Sequence, residues 1–72
     1  MNIIIRNFVY GYAYQYGPLS CTLTSMIERL TTAYNRQGGD SSFAMFISGY
    51  LDFKLSEVNT MLIKGSELLP IE

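Results

Sequence analysis

Apolar positions recur along the chain with two different periods. From Leu19 they fall at Leu19, Leu23, Met26, Ile27, Leu30, Ala33 and Tyr34, a spacing of three and four residues that predicts one amphipathic helix over about 19–37. Ser20 suits its N-cap, Pro18 stands just upstream, Arg36 falls in the last turn and Gly38-Gly39 ends it. Asp40-Ser41-Ser42 then offers a second cap, followed by Phe43, Phe46, Ile47, Tyr50 and Leu51 at helical spacing, which predicts a second helix over about 42–52. Gly49 inside it costs roughly 1 kcal/mol relative to alanine, and points either to a close helix crossing or to a strand over Phe43 to Ile47. Ser56 caps a short third helix over about 56–64, with Val58, Met61 and Leu62 inward and Gly65 as its stop. A tail over 66–72 follows, which Pro70 prevents from continuing as helix.

Residues 3–16 are different in kind. Ile, Val, Phe and Tyr at this density favour extended structure, and at period two one face carries Ile4, Arg6, Phe8, Tyr10, Tyr12, Tyr14 and Tyr16. The other carries Ile3, Ile5, Asn7, Val9, Gly11, Ala13 and Gln15. Fully extended the segment would reach roughly 46 Å, too long for a compact chain of this size, so a bend or hairpin about Gly11 is expected, or pairing with another chain. The expected fold is therefore α+β: a single domain with an N-terminal strand or hairpin packed on two main amphipathic helices and a short third. Its expected core is Ile3, Ile5, Val9, Leu23, Met26, Ile27, Leu30, Phe46, Ile47, Leu51, Val58 and Leu62.

Composition narrows what such a domain can do. The 72 residues are 49% hydrophobic and 15% charged, with a net charge of -1, one cysteine and no histidine. Disulfide closure within the chain and the usual zinc sets are excluded, and apolar packing has to supply the stability. The hydrophobic content argues against intrinsic disorder. The longest uncharged stretch, Asn7 to Met26, is interrupted by Gly11, Gln15, Gly17 and Pro18, so it does not read as a membrane span. Met1-Asn2-Ile3 lacks the basic start of a signal peptide, and a cytoplasmic protein is the expectation.

Little in the chain points to catalysis. Cys21 is the one conventional nucleophile, expected in the first turn of the helix that starts near Leu19, but no histidine exists to serve it as a base. A buried structural thiol is the simpler account. The carboxylates Glu28, Asp40, Asp52, Glu57, Glu67 and Glu72 are scattered, with no spacing that places two together for acid-base work or metal binding. Gly38-Gly39-Asp40 lacks the Lys-Ser/Thr of a phosphate loop. We expect no enzyme activity, no cofactor and no metal.

The aromatic segment is the candidate interaction site: Arg6, Phe8, Tyr10, Tyr12, Tyr14 and Tyr16. Tyrosine with serine and glycine, and few lysines or glutamates, is the mix that gives rigid binding surfaces at low entropic cost. If the stripe is core instead, the site moves to the polar helix faces around Arg29, Asn35 and Arg36. The expected function is a small protein-binding module that occupies a surface of a larger protein or complex. An interface of about 800 Å² would cover nearly a fifth of so small a domain. In size and composition the chain resembles the inhibitors that phages and mobile elements direct at host machinery, the anti-CRISPR type among them, although no run of residues identifies a family. The alternative is a dimeric nucleic-acid-binding regulator. Strand-helix-helix order resembles the ribbon-helix-helix family, and residues 44–64 could form a helix-turn-helix presenting Glu57, Asn59, Thr60 and Lys64. Five cations against six carboxylates leave little of the phosphate-neutralising attraction that nucleic-acid binding draws on. A strand with unpaired edges also leads us to expect a homodimer.

Overall fold

The structure is a computed structural model describing residues 2–39 and 42–69, and its first element overturns the expected fold class. Residues Ile3–Tyr16 form a helix, α1. It is followed by α2 (Leu23–Arg36), α3 (Phe43–Tyr50) and α4 (Leu55–Leu68). No strand occurs among the described residues, so the fold is all-helical and neither a hairpin nor the ribbon of a ribbon-helix-helix dimer is present there. The strand edges that motivated the expected homodimer are absent with them.

The same residues that alternate at period two also carry a helical stripe. Ile5, Phe8, Val9, Tyr12 and Tyr16 stand at i, i+3, i+4, i+7 and i+11, and Ile5, Phe8 and Val9 are fully buried. The helix penalty for β-branched and aromatic residues is at most about 0.7 kcal/mol each, which burial of two or three large side chains outweighs. Asn2 starts the helix, its Oδ1 accepting from the Ile4 and Ile5 amides at 2.8 and 3.3 Å. At the other end the Gly17 amide donates to the Ala13 carbonyl at 2.8 Å.

Gly11 is not a bend, and Gly65 is not a stop. Both lie inside helices where α1 and α4 cross in antiparallel register. A Cβ at Gly11 would overlap the Met61 carbonyl, and one at Gly65 would overlap the Asn7 carbonyl. The two backbones therefore touch, which glycine alone allows. Because Gly65 serves the crossing, α4 runs on to Leu68, past the expected end at Lys64. Arg6 ties the ends of the pair, its guanidinium donating to Asn7 Oδ1 and to the Leu69 carbonyl, both at 3.1 Å. Asn7 is buried at this seam.

The remaining boundaries shift by a few residues. Thr22, not Ser20, caps α2, its Oγ1 accepting from the Ser25 amide at 3.0 Å. Cys21 therefore precedes the helix instead of lying in its first turn. Gly38 and Gly39 end α2 as expected, with φ of 101° and 65°. Ser42 caps α3, while the Asp40-Ser41 part of the expected cap, and residues 70–72 of the expected tail, lie outside the described residues. Asp52, at φ 60°, turns the chain between α3 and α4, and the Ser48 hydroxyl closes that turn on the Phe53 carbonyl at 2.8 Å. Glu57 Oε1 accepts from the Lys54 amide at 3.0 Å to start α4.

The core is Ile5, Phe8, Val9, Ile27, Leu30, Phe43, Ile47, Val58 and Met61. Of the expected core, Leu23, Met26, Phe46, Leu51 and Leu62 are partly buried against it, and Ile3 is exposed. Rings extend the core as one connected series. Tyr50 stacks on Phe46, Phe46 meets Tyr34 and Phe43, Phe43 meets Phe8, and Phe8 leads through Tyr12 to Tyr16 and Phe53, with centroids 5.0–6.1 Å apart.

Replacing Gly11 or Gly65 with alanine is expected to force α1 and α4 apart and to cost more than about 3 kcal/mol. Urea unfolding of Gly11→Ala and Gly65→Ala followed by circular dichroism checks this; midpoints within error of the unsubstituted protein would remove the backbone contact from the fold.

Candidate functional site

The helix distributes the expected site residues around its circumference. Phe8 has no exposed surface, Tyr12 is partly buried among rings, and both look inward. Tyr10 is partly buried, while Tyr14 and Tyr16 are 65% and 44% exposed. Arg6 is half-buried and committed to Asn7 and Leu69. Tyr14 is covered on one side by Lys64, whose Nζ lies 4.4 Å from the ring centroid, and Lys64 also pairs with Glu67 at 3.8 Å. The six residues thus do not form one continuous face.

Open concavities gather instead along α2. This helix rests on α1, and toward α3 it is met by Tyr34 ring contacts with Phe43 and Phe46 instead of by close backbone. Spanning that distance with rings leaves space beside them. One cleft of about 410 Å³ is lined by Glu28, Arg29, Thr32, Ala33, Arg36 and Tyr50. A second, of about 310 Å³, adjoins it through Arg29 and Tyr50 and reaches Tyr12, Ser20, Cys21, Met26 and Leu51. A third, of about 430 Å³, borders Thr24, Ile27, Glu28, Thr31 and Thr32.

The second of these clefts has the apolar residues Leu19, Met26, Leu30 and Leu51 in its lining together with Arg29, Tyr50, Ser20 and Cys21. The first is polar, with Glu28 beside Arg29, Thr32 and Arg36. Among the described residues no carboxylate lies within ion-pairing distance of Arg29 or Arg36. Both are exposed, seven residues apart, and so on one face of the helix about 10 Å from each other. This is the polar face of α2 to which the site moves when the aromatic stripe is core. Tyr50, Met26 and Leu51 join it only through tertiary packing; the periodicity marks them as inward positions and does not show that inward here means beside a cleft.

No other chemistry assembles. Among the described residues no group of three His, Cys, Asp or Glu is placed to hold a metal ion, and no helix is long and apolar enough to cross a membrane. On α4, Ser56, Glu57, Asn59 and Thr60 face solvent, with Lys64 engaged as described.

The division of the tyrosine segment is directly testable by denaturant unfolding. Phe8→Ala is expected to lose about 3–5 kcal/mol, enough to unfold most of a domain this small, whereas Tyr14→Ser should change stability by less than about 1 kcal/mol. Equal losses at the two positions would contradict the helical placement of the segment.

Comparison of the chain with protein-family models, with curated proteins and with solved structures gives no match.

Proposed function

We propose that the protein is a small non-enzymatic binding module that acts by occupying a surface of a larger protein. The observation that carries this is the pair of adjoining clefts on α2, one lined by Met26, Leu30 and Leu51 and the other by Arg36, with Arg29 and Tyr50 shared; neither arginine has an ion-pair partner among the described residues. Interfaces favour aromatic, methionine and arginine side chains over lysine and glutamate, and Tyr50, Met26, Arg29 and Arg36 are of those types. A standard interface of about 800 Å² per partner amounts to roughly a sixth of the 4725 Å² surface. A chain of this size can therefore block a partner without chemistry of its own, and inhibition of a host complex is the form such blocking takes in the phage-type inhibitors it resembles in size and composition. A cytoplasmic setting accords with its single free cysteine.

Affinity capture from lysate of the source cell or its host, with and without nuclease, tests this. The expected result is a stoichiometric protein that survives nuclease and is lost from the double variant Arg29→Glu with Tyr50→Ala, while the melting temperature stays within about 3 °C. Nucleic acid in the untreated capture, with protein partners lost on digestion, would overturn the assignment in favour of a nucleic-acid-binding regulator. Capture unchanged by the double variant would remove the α2 clefts from the site.

A further inference from the structure

Of the four helices, α1 is the one whose residues favour another conformation. Nine of its fourteen residues are β-branched or aromatic, against five of fourteen in α2, three of fourteen in α4 and four of eight in α3. Apart from the Asn2 cap, little local compensates. The first turn holds no acidic residue and the last turn no basic one, so the helix dipole is unmet, and Gly11 stands in the interior. Arg6 is its only charge, which leaves no ion pair along the helix's own surface. A helix of about 14 residues is marginal in water even with favourable residues. Burial of Ile5, Phe8 and Val9 and the glycine crossing with α4 hold this one.

The same segment has the makeup of a strand that stacks on copies of itself. From Asn7 to Tyr16 it contains no charge and no proline. At period two Phe8, Tyr10, Tyr12, Tyr14 and Tyr16 fall on one side and Val9, Gly11, Ala13 and Gln15 on the other, a row of rings backed mostly by small residues. In the folded chain these rings point in different directions, Phe8 being buried and Tyr14 exposed, so the row exists only when the helix is undone. Arg6 and Pro18 bound the run, whereas the other long helices carry charges within theirs: Glu28, Arg29 and Arg36 in α2, and Glu57, Lys64 and Glu67 in α4. Helix α3 is uncharged but shorter, with Gly49 near its end, where nothing lies within 4 Å of the Cβ position.

We propose that α1 has a second conformation: released from α4, residues 7–16 extend and pair in register with the same residues of other copies as a cross-β stack. The folded chain is all-helical because the crossing withholds the segment, with Gly11 and Gly65 as the latch. In register, each ring lies on its own duplicate, which only an identical chain supplies. A run without charge sets no like charges opposite one another in such a stack. This association is independent of the α2 clefts and of the partner proposed for them.

Gly65→Ala in the full chain tests it, since Gly65 lies outside the run. At about 100 μM, where exposed segments associate, the variant is expected to form thioflavin-binding fibrils roughly tenfold faster than the unsubstituted protein. Circular dichroism should change from helix to strand, and the fibrils should diffract at about 4.7 Å. Hydrogen exchange should place the protected amides at 7–16. The unsubstituted protein should give the same fibrils at its melting temperature, where half of the chains are open. Adding Tyr14→Glu to Gly65→Ala should abolish them. Tyr14 is exposed and lies against Lys64, so the helix accommodates a carboxylate there, whereas the stack would set like charges on one another. Adding Met45→Glu, on α3, should leave the fibrils intact. The proposal is overturned if either Gly65→Ala or the heated protein stays free of fibrils, if Tyr14→Glu leaves their growth unchanged or Met45→Glu stops it, or if the protected amides lie outside 7–16.

Discussion

Everything in this fold is arranged around two helices whose backbones touch. Gly11 against the Met61 carbonyl and Gly65 against the Asn7 carbonyl fix both the separation and the register of α1 and α4. Residues 50 or more positions apart in sequence are brought into line by this crossing. Arg6 reaches the last turn of α4, and Lys64 reaches the ring of Tyr14. Helices that approach this closely bury much of each other's surface with few side chains. Beside this contact Ile5, Phe8 and Val9 join one core with Ile27 and Leu30 of α2, Phe43 and Ile47 of α3, and Val58 and Met61 of α4.

The second consequence is a series of rings that extends outward from a mainly aliphatic core. With α1 and α4 in contact, α2 and α3 have to close over the exposed side of that pair, and eight aromatic residues from Phe8 to Phe53 bridge the distance. Rings are large and planar, so they span wide gaps but leave wedges of space between them. The clefts beside α2 are such wedges, and they lie where backbone packing is loosest. In this chain the concavities come from the manner of packing of the helices.

How far the sequence discloses this is best seen at particular residues. The stripe Leu19, Leu23, Met26, Ile27, Leu30, Ala33 and Tyr34 has a single period that predicts a helix over about 19–37, and α2 forms over Leu23–Arg36, starting four residues later. Residues 3–16 satisfy two periods at once, because Phe8, Tyr12 and Tyr16 are spaced by four and therefore align on a strand and on a helix alike. Local propensity favoured the strand, yet the buried set Ile5, Phe8 and Val9 belongs to the helix alone. Gly11 and Gly65 read locally as a bend and a stop because glycine breaks regular structure. That they mark a contact depends on which carbonyl stands opposite, and no local pattern carries that information. The arginines of the clefts were visible as a polar face; that Met26, Leu30 and Leu51 line a cleft beside Arg29 was not.

The sequence by itself determined the inventory: an apolar content sufficient for a core, five cations against six carboxylates, no histidine and a single thiol, the glycine pair that ends α2 and the Ser42 cap that starts α3. These follow from residue type and near-neighbour spacing, which are local properties. The tertiary structure decided the rest. It chose helix over strand for residues 3–16, since burial against α4 outweighs an intrinsic preference of a few tenths of a kcal/mol per residue. It also decided which glycines are crossings and which is left open to solvent, because that depends on what another segment of chain brings to within van der Waals distance.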